Sequence, residues 1–123
     1  MSFEQAFDAS QYDESSLLVD RHPIGAGDTL RMVIHGDLDA VSAHRLRSEV
    51  GEALRGRPRR IDVDMRGVTF LDSAGIRALL YCHSDAERLS TGLVLVNTPA
   101  SIHRVLEITG LAPYLGLTAA TND

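Results

Sequence analysis

An aspartate and a serine, Asp72-Ser73, followed by Ala74 and Gly75, stand where an apolar run ending in Phe70 and Leu71 gives way to a helical pattern. A small hydroxyl at the mouth of a helix faces backbone N–H groups that have no intrahelical acceptor, so Ser73 and Asp72 first read as capping residues. A nucleophilic serine is the alternative. A nucleophile elbow wants glycine two residues before the serine, where this chain has Leu71, so only Gly75 fits that pattern. His83, as a base for Ser73, lies ten residues along the same helical stretch, about 15 Å away at 1.5 Å per residue. His22, His35, His44 and His103 reach Ser73 only through the tertiary fold, and no HExxH spacing occurs among them.

Carboxylates gather near the ends of predicted strands: Asp37, Asp39, Asp62, Asp64 and Asp72. Magnesium is usually held by one or two carboxylates beside substrate phosphates. No phosphate loop is present to bring such a substrate. Gly25-x-Gly27 lacks the third glycine and the following helix of a dinucleotide loop. Asp62 and Asp64 therefore read as the polar side of a strand, and Asp39 and Asp72 as caps of the helices that follow them.

The elements that must position these groups follow from periodicity. Residues 1–16 carry Glu4, Asp8, Asp13 and Glu14 with no base, the pattern of a mobile acidic tail. Leu17 to Asp20 and Leu30 to His35 read as two strands of a hairpin around Gly25-Ala26-Gly27-Asp28. After Asp39 the period changes: Val41, Leu46, Val50 and Leu54 recur at helical spacing. Ile61, Val63 and Met65 alternate with Asp62 and Asp64 as a strand that Gly67 helps end. A second helix starts at Asp72-Ser73, with a stripe of Ile76, Leu79, Leu80, His83, Ala86 and Leu89 and a stop at Gly92. Leu93 to Val96 is a short apolar strand. Thr98-Pro99 opens a third helix by cap chemistry, with Ile102, Val105, Leu106 and Ile108 inward and Gly110 at its end. The alternation predicts an α/β fold with parallel crossovers, in which ligands and partners gather where strands end and helices begin. The segments so placed are 35–39 and 70–75.

Composition narrows the function classes. The 123 residues fit one compact domain, and no apolar run approaches the roughly 20 residues of a membrane span. The N-terminus has neither basic flank nor apolar stretch, so nothing in it suggests export. A solitary cysteine, Cys82, offers no internal disulfide and fits a reducing compartment, the cytoplasm. A net charge of −5, with every basic residue an arginine, gives no field that would collect a polyanion, so direct nucleic-acid binding is not expected. The one basic cluster, Arg55, Arg57, Arg59 and Arg60, surrounds the helix breakers Gly56 and Pro58 and reads as a solvated connection.

Three motifs carry a resemblance over most of the chain: Gly36-Asp37-Leu38-Asp39; the run from Asp64 through Phe70-Leu71-Asp72-Ser73-Ala74-Gly75 to Ile76; and Val105-Leu106-Glu107-Ile108-Thr109-Gly110-Leu111. On these residues the sequence resembles the STAS domain family, which includes bacterial anti-sigma factor antagonists. The resemblance implies one domain over residues 17–117, with a small mixed β-sheet of about four strands packed with α-helices, an N-terminal tail 1–16 and a C-terminal tail 118–123. It implies a binding protein without enzyme activity or cofactor. Its partner would be an anti-sigma factor that is itself a serine kinase, and ATP would belong to that kinase. Ser73 matches the serine that such a kinase phosphorylates; the unmodified form binds the anti-sigma factor and frees its sigma factor. Phosphorylation ends binding, and a metal-dependent serine phosphatase restores it. Asp39, Asp72, Ser73, Ala74 and Gly75 are the implied partner-binding residues. Ala74 replaces a second serine found in many members, which leaves Ser73 the single acceptor of the motif. STAS domains also serve in anion transporters, stress-signalling scaffolds and lipid-transport complexes, so an unphosphorylated scaffold subunit is the alternative.

Overall fold

The structure is a computed structural model that describes residues 17–25 and 28–116. The expected tails 1–16 and 118–123, and the Ala26-Gly27 tip of the first turn, lie outside the described residues. The element order is β1 (Leu18–Ile24), β2 (Thr29–Leu38), α1 (Ala43–Leu54), β3 (Arg60–Leu71), α2 (Ser73–Arg88), β4 (Gly92–Val96) and α3 (Ala100–Ile108). The strands form one sheet in the order β1-β2-β3-β4. The β1–β2 hairpin is antiparallel, and β2, β3 and β4 run parallel. This is the mixed four-stranded α/β domain that the sequence predicts.

Side-chain alternation explains why these segments are strands. In register, Met32 faces Val63, which faces Leu95, and Leu30 faces Ile61, which faces Leu93. These residues share one face with Ile34 and Met65 and join Leu46 and Val50 of α1 and Leu79 of α2 in a single core. Helices α1 and α2 pack on each other, and α3 lies against β3. The opposite sheet face carries Arg31, Asp62 and Asp64. Both aspartates are buried, at 2% and 4% exposure, so this polar side of the strand is shielded from solvent. Arg60 grips Asp62 with two hydrogen bonds of 2.7 and 3.1 Å, and Asn97 donates to Asp64 at 3.1 Å. Arg31 lies within 4.0 Å of both carboxylates. Removal from water is compensated by these cations and amides. The Asp62 carboxylate raises the Arg60 pKa, first through their hydrogen bond and then through its charge.

Several element limits differ from the sequence reading. Gly67 does not end β3, which runs on to Leu71. The β2–β3 ladder instead shifts register between Val33 and His35 and again between Gly36 and Asp37. Gly67 is glycine because a Cβ there would overlap the His35 ring. Helix α2 stops before Gly92, which is the first residue of β4; Ser90 takes the left-handed conformation after the helix, at φ 59°. Its buried face is Gly75, Ala78, Leu79, Cys82 and Ala86, rotated from the predicted stripe, and Leu89 is exposed. Val41 precedes α1 and is exposed, and Ile108 ends α3 at 77% exposure. Pro99 is the N-cap of α3 and no side chain caps it; the buried Thr98 hydroxyl does not bond to the helix.

Candidate functional site

Parallel pairing brings the C-terminal ends of β2 and β3 together, with Leu38 opposite Leu71. The two segments singled out by the sequence, 35–39 and 70–75, are therefore neighbours at one end of the sheet. The Asp72 N–H donates to the Leu38 carbonyl at 3.3 Å and joins them directly. Gly75, in the first turn of α2, is buried against that same carbonyl, and a Cβ would overlap it and the Leu71 side chain. Glycine at 75 is thus what lets the helix N-terminus lie on the β2 exit.

Each carboxylate at this end organises backbone. Asp72 is the N-cap of α2 and accepts the Gly75 N–H at 3.0 Å. Ser73 follows as the first helical residue, exposed, with its hydroxyl making no hydrogen bond among the described residues. Asp72, not Ser73, is the cap, so the reading of Ser73 as a capping hydroxyl is overturned. Asp39 Oδ1 accepts the N–H groups of Val41 and Ser42 at 3.0 and 3.1 Å, shaping the turn before α1. The α1 N-cap is Ser42, whose hydroxyl donates to the Asp37 carbonyl at 2.8 Å. Gly36, at φ 112°, takes a backbone conformation that side chains disfavour, inside β2 at the second register shift of the β2–β3 ladder.

The structure brings Asp39, Asp72, Ser73, Ala74 and Gly75 to one end of the sheet, together with other residues of the same two segments. Asp37 accepts the Thr69 hydroxyl at 2.9 Å, tying β2 to β3 there. Phe70 is 49% and Val41 54% exposed at this end of the molecule. Between α1 and α2 runs a groove of about 400 Å³, with Ala40, Ala43, Ala74 and Ala78 as its small residues and His44, Arg47, Arg77 and Tyr81 as its large ones. Ala74 opens that groove one residue beyond Ser73. The spacing Ser73 to Arg77, one helical turn, was the available sequence signal.

The far part of the groove is fixed by charge. Arg47 forks onto Asp85 through Nε and Nη2 at 2.9 and 3.2 Å and lies 4.6 Å over the Tyr81 ring. The hydrogen bond to Asp85, then its charge, raises the Arg47 pKa. Beneath, burial and then the Asp85 charge push the Cys82 thiol up to about 12. No histidine approaches Ser73 by hydrogen bond among the described residues, and His83 instead stacks near Tyr114, 4.9 Å between ring centroids. No cluster of three or more metal-ligating side chains occurs among the described residues, and no helix there is long and apolar enough to cross a membrane.

Comparison with known proteins agrees with this architecture. The chain is 24% identical over 89 residues to an anti-sigma F factor antagonist of Lysinibacillus sphaericus, covering 72% of this chain and 76% of that protein. The crystal structure of an anti-sigma factor antagonist from Mycobacterium paratuberculosis superposes with a TM-score of 0.73 at 22% identity, over 85% of this chain and 87% of that one. The anti-sigma factor antagonist SpoIIAA in its unphosphorylated form gives 0.68 at 20% identity, over 85% and 90% of the two chains. At such identities the superpositions speak to the fold. The family model for the STAS domain matches residues 24–123, most of the chain, and with the β2–β3 end built as described this protein belongs to the STAS domain family.

Proposed function

We propose that this protein is an anti-sigma factor antagonist that works by binding and is switched by phosphorylation of Ser73. The observation that carries the proposal is Ser73 itself: an exposed hydroxyl without a hydrogen-bond partner among the described residues, at the first position of α2, flanked by the exposed Phe70 and Val41 and the α1–α2 groove. In the unmodified state this end docks on an anti-sigma factor that is also a serine kinase, which releases the sigma factor and permits transcription. The kinase then transfers the γ-phosphoryl group of its own ATP to Ser73 Oγ. The Oγ–P bond forms as the bond to the β-phosphate oxygen breaks, ADP leaves, and the hydroxyl proton passes to a base on the kinase. A serine phosphatase hydrolyses the ester and resets the switch in the cytoplasm. The sequence similarity to an anti-sigma F factor antagonist supports this reading over a scaffold role.

The sign of the switch follows from solvation. A phosphate adds a charge of about −1.5 to −2, and in a close-packed contact beside Asp39 and Asp72 it loses water and meets like charge. Each 1.4 kcal/mol of lost affinity is about tenfold, so one phosphate suffices to empty a moderately tight complex. Titration of the anti-sigma kinase should show Ser73→Ala binding like the parent while resisting phosphorylation. Ser73→Asp and the fully phosphorylated protein should stay folded and bind at least tenfold more weakly. Equal affinities of phosphorylated and unmodified protein would reject the switch.

A further inference from the structure

The geometry points to Arg77 as the residue that holds the phosphate on Ser73, a role that rests on the switch proposed above and specifies how it is read. Ser73 and Arg77 are four apart in α2, so their Cβ atoms lie about 5–6 Å apart on one helix face. Helical side chains lean toward the N-terminus, which directs the Arg77 guanidinium back over Ser73. The other arginine lining the groove, Arg47, is engaged with Asp85. Arg77 is exposed and, among the described residues, makes no hydrogen bond or ion pair. It also lines the α1–α2 groove beside Ala74. In a chain of net charge −5, this places an unengaged guanidinium one helical turn from the Ser73 hydroxyl.

A guanidinium matches a phosphate with two parallel N–H donors, which an ammonium does not. The groups around the phosphate divide by sign. Asp72 on the preceding residue and Asp37 and Asp39 on the β2 exit oppose the dianion, while Arg77 on the same helix and His44 and Arg47 on the facing helix favour it. With Arg47 committed to Asp85, Arg77 is the cation with a free fork. Its pairing with phosphate places the ion pair at the opening of the groove and withdraws from it a guanidinium that, among the described residues, is otherwise free to meet a partner's carboxylate. The modification is thereby read twice, as added negative charge and as a removed positive one.

Phosphoserine installed at position 73 during translation tests this without any kinase, so a failed kinase assay and a failed clamp are separate outcomes. The phosphate is titrated by phosphorus NMR at low salt, in a His44→Gln background so that no imidazole titrates at the groove mouth. Its second ionisation, near pH 6 in an unhindered phosphoserine, should lie about half a unit higher in Arg77→Gln than in the Arg77 protein. Arg77→Lys should retain part of the lowering, and molar salt should shrink the difference. Phosphate titrations that coincide within about 0.1 unit in the Arg77 and Arg77→Gln proteins would overturn the assignment. Arg77 is exposed, and its replacement is expected to leave the fold in place.

Discussion

At the scale of single residues, Gly75 sets two effects of opposite sign against each other. Alanine in a helix is favoured over glycine by about 1 kcal/mol. Here the added Cβ would meet a backbone carbonyl, that of Leu38, which cannot swing aside as a side chain would. Overpacking of this kind costs typically about 1–3 kcal/mol, so Gly75→Ala should lower stability by up to about 2 kcal/mol in denaturant titration. It should also weaken partner binding, because the β2 exit and the α2 N-terminus must part. Asp39 separates differently. Asparagine keeps the Oδ1 acceptor that Val41 and Ser42 use, so Asp39→Asn should preserve the turn and the melting temperature. It removes only the charge. A role at the partner surface then appears as weaker binding or slower phosphate transfer, whereas unchanged values for both would confine Asp39 to shaping its turn.

At the scale of elements, Cys82 reports on how tightly α2 is seated. Its thiol lies in the α2 face turned to the core at 1% exposure, with its pKa pushed up to about 12 by burial. The folded state therefore prefers the neutral thiol. That contribution is complete below the ordinary thiol value of 9.0 and is lost progressively as pH rises from there toward 12. Folded protein should leave a thiol reagent unreacted at pH 8, while protein in denaturant reacts at once; rapid reaction of the folded form would show that α2 lifts from the sheet. The sequence made α2 legible as a helix and placed Leu79 and Ala86 on its inner stripe, but filled the rest with Ile76, Leu80, His83 and Leu89 where the buried face has Gly75, Ala78 and Cys82. Small residues mark the closely packed side of α2, and hydrophobicity scoring alone favours the larger ones. Strand β3 was legible as far as Met65 and then misread at Gly67, because the glycine answers to the His35 ring across the sheet, a contact that local pattern does not contain. The motif from Asp72 to Gly75 was legible because it is contiguous. Its meeting with the β2 exit, and the groove that places His44 opposite Arg77, depend on pairing of distant segments.

At the scale of the whole molecule, stability and switching reside in different places. The core lies between the sheet and its helices, centred on residues such as Leu46, Leu79 and Leu95, each fully buried. The switch end is built from exits of parallel strands, where exposed Ser73, Phe70 and Val41 contribute little to that core. Domains of this size are stable by about 5–15 kcal/mol, and a buried leucine truncated to alanine costs about 2–5 kcal/mol. Leu79→Ala should therefore lower the unfolding midpoint strongly yet bind the partner with unchanged affinity at a temperature where it is still folded. Ser73→Asp should do the reverse. Its added charge meets a helix N-terminus, which favours an anion by about 0.3–1 kcal/mol, and the Asp72 carboxylate, which opposes it, so the net effect on folding is small. Measured together, unfolding midpoints and partner affinities of these two variants should fall on perpendicular axes. If Leu79→Ala lost affinity in proportion to stability while fully folded, the binding end would have to be coupled mechanically to the core, and a switch confined to the surface around Ser73 would be the wrong description.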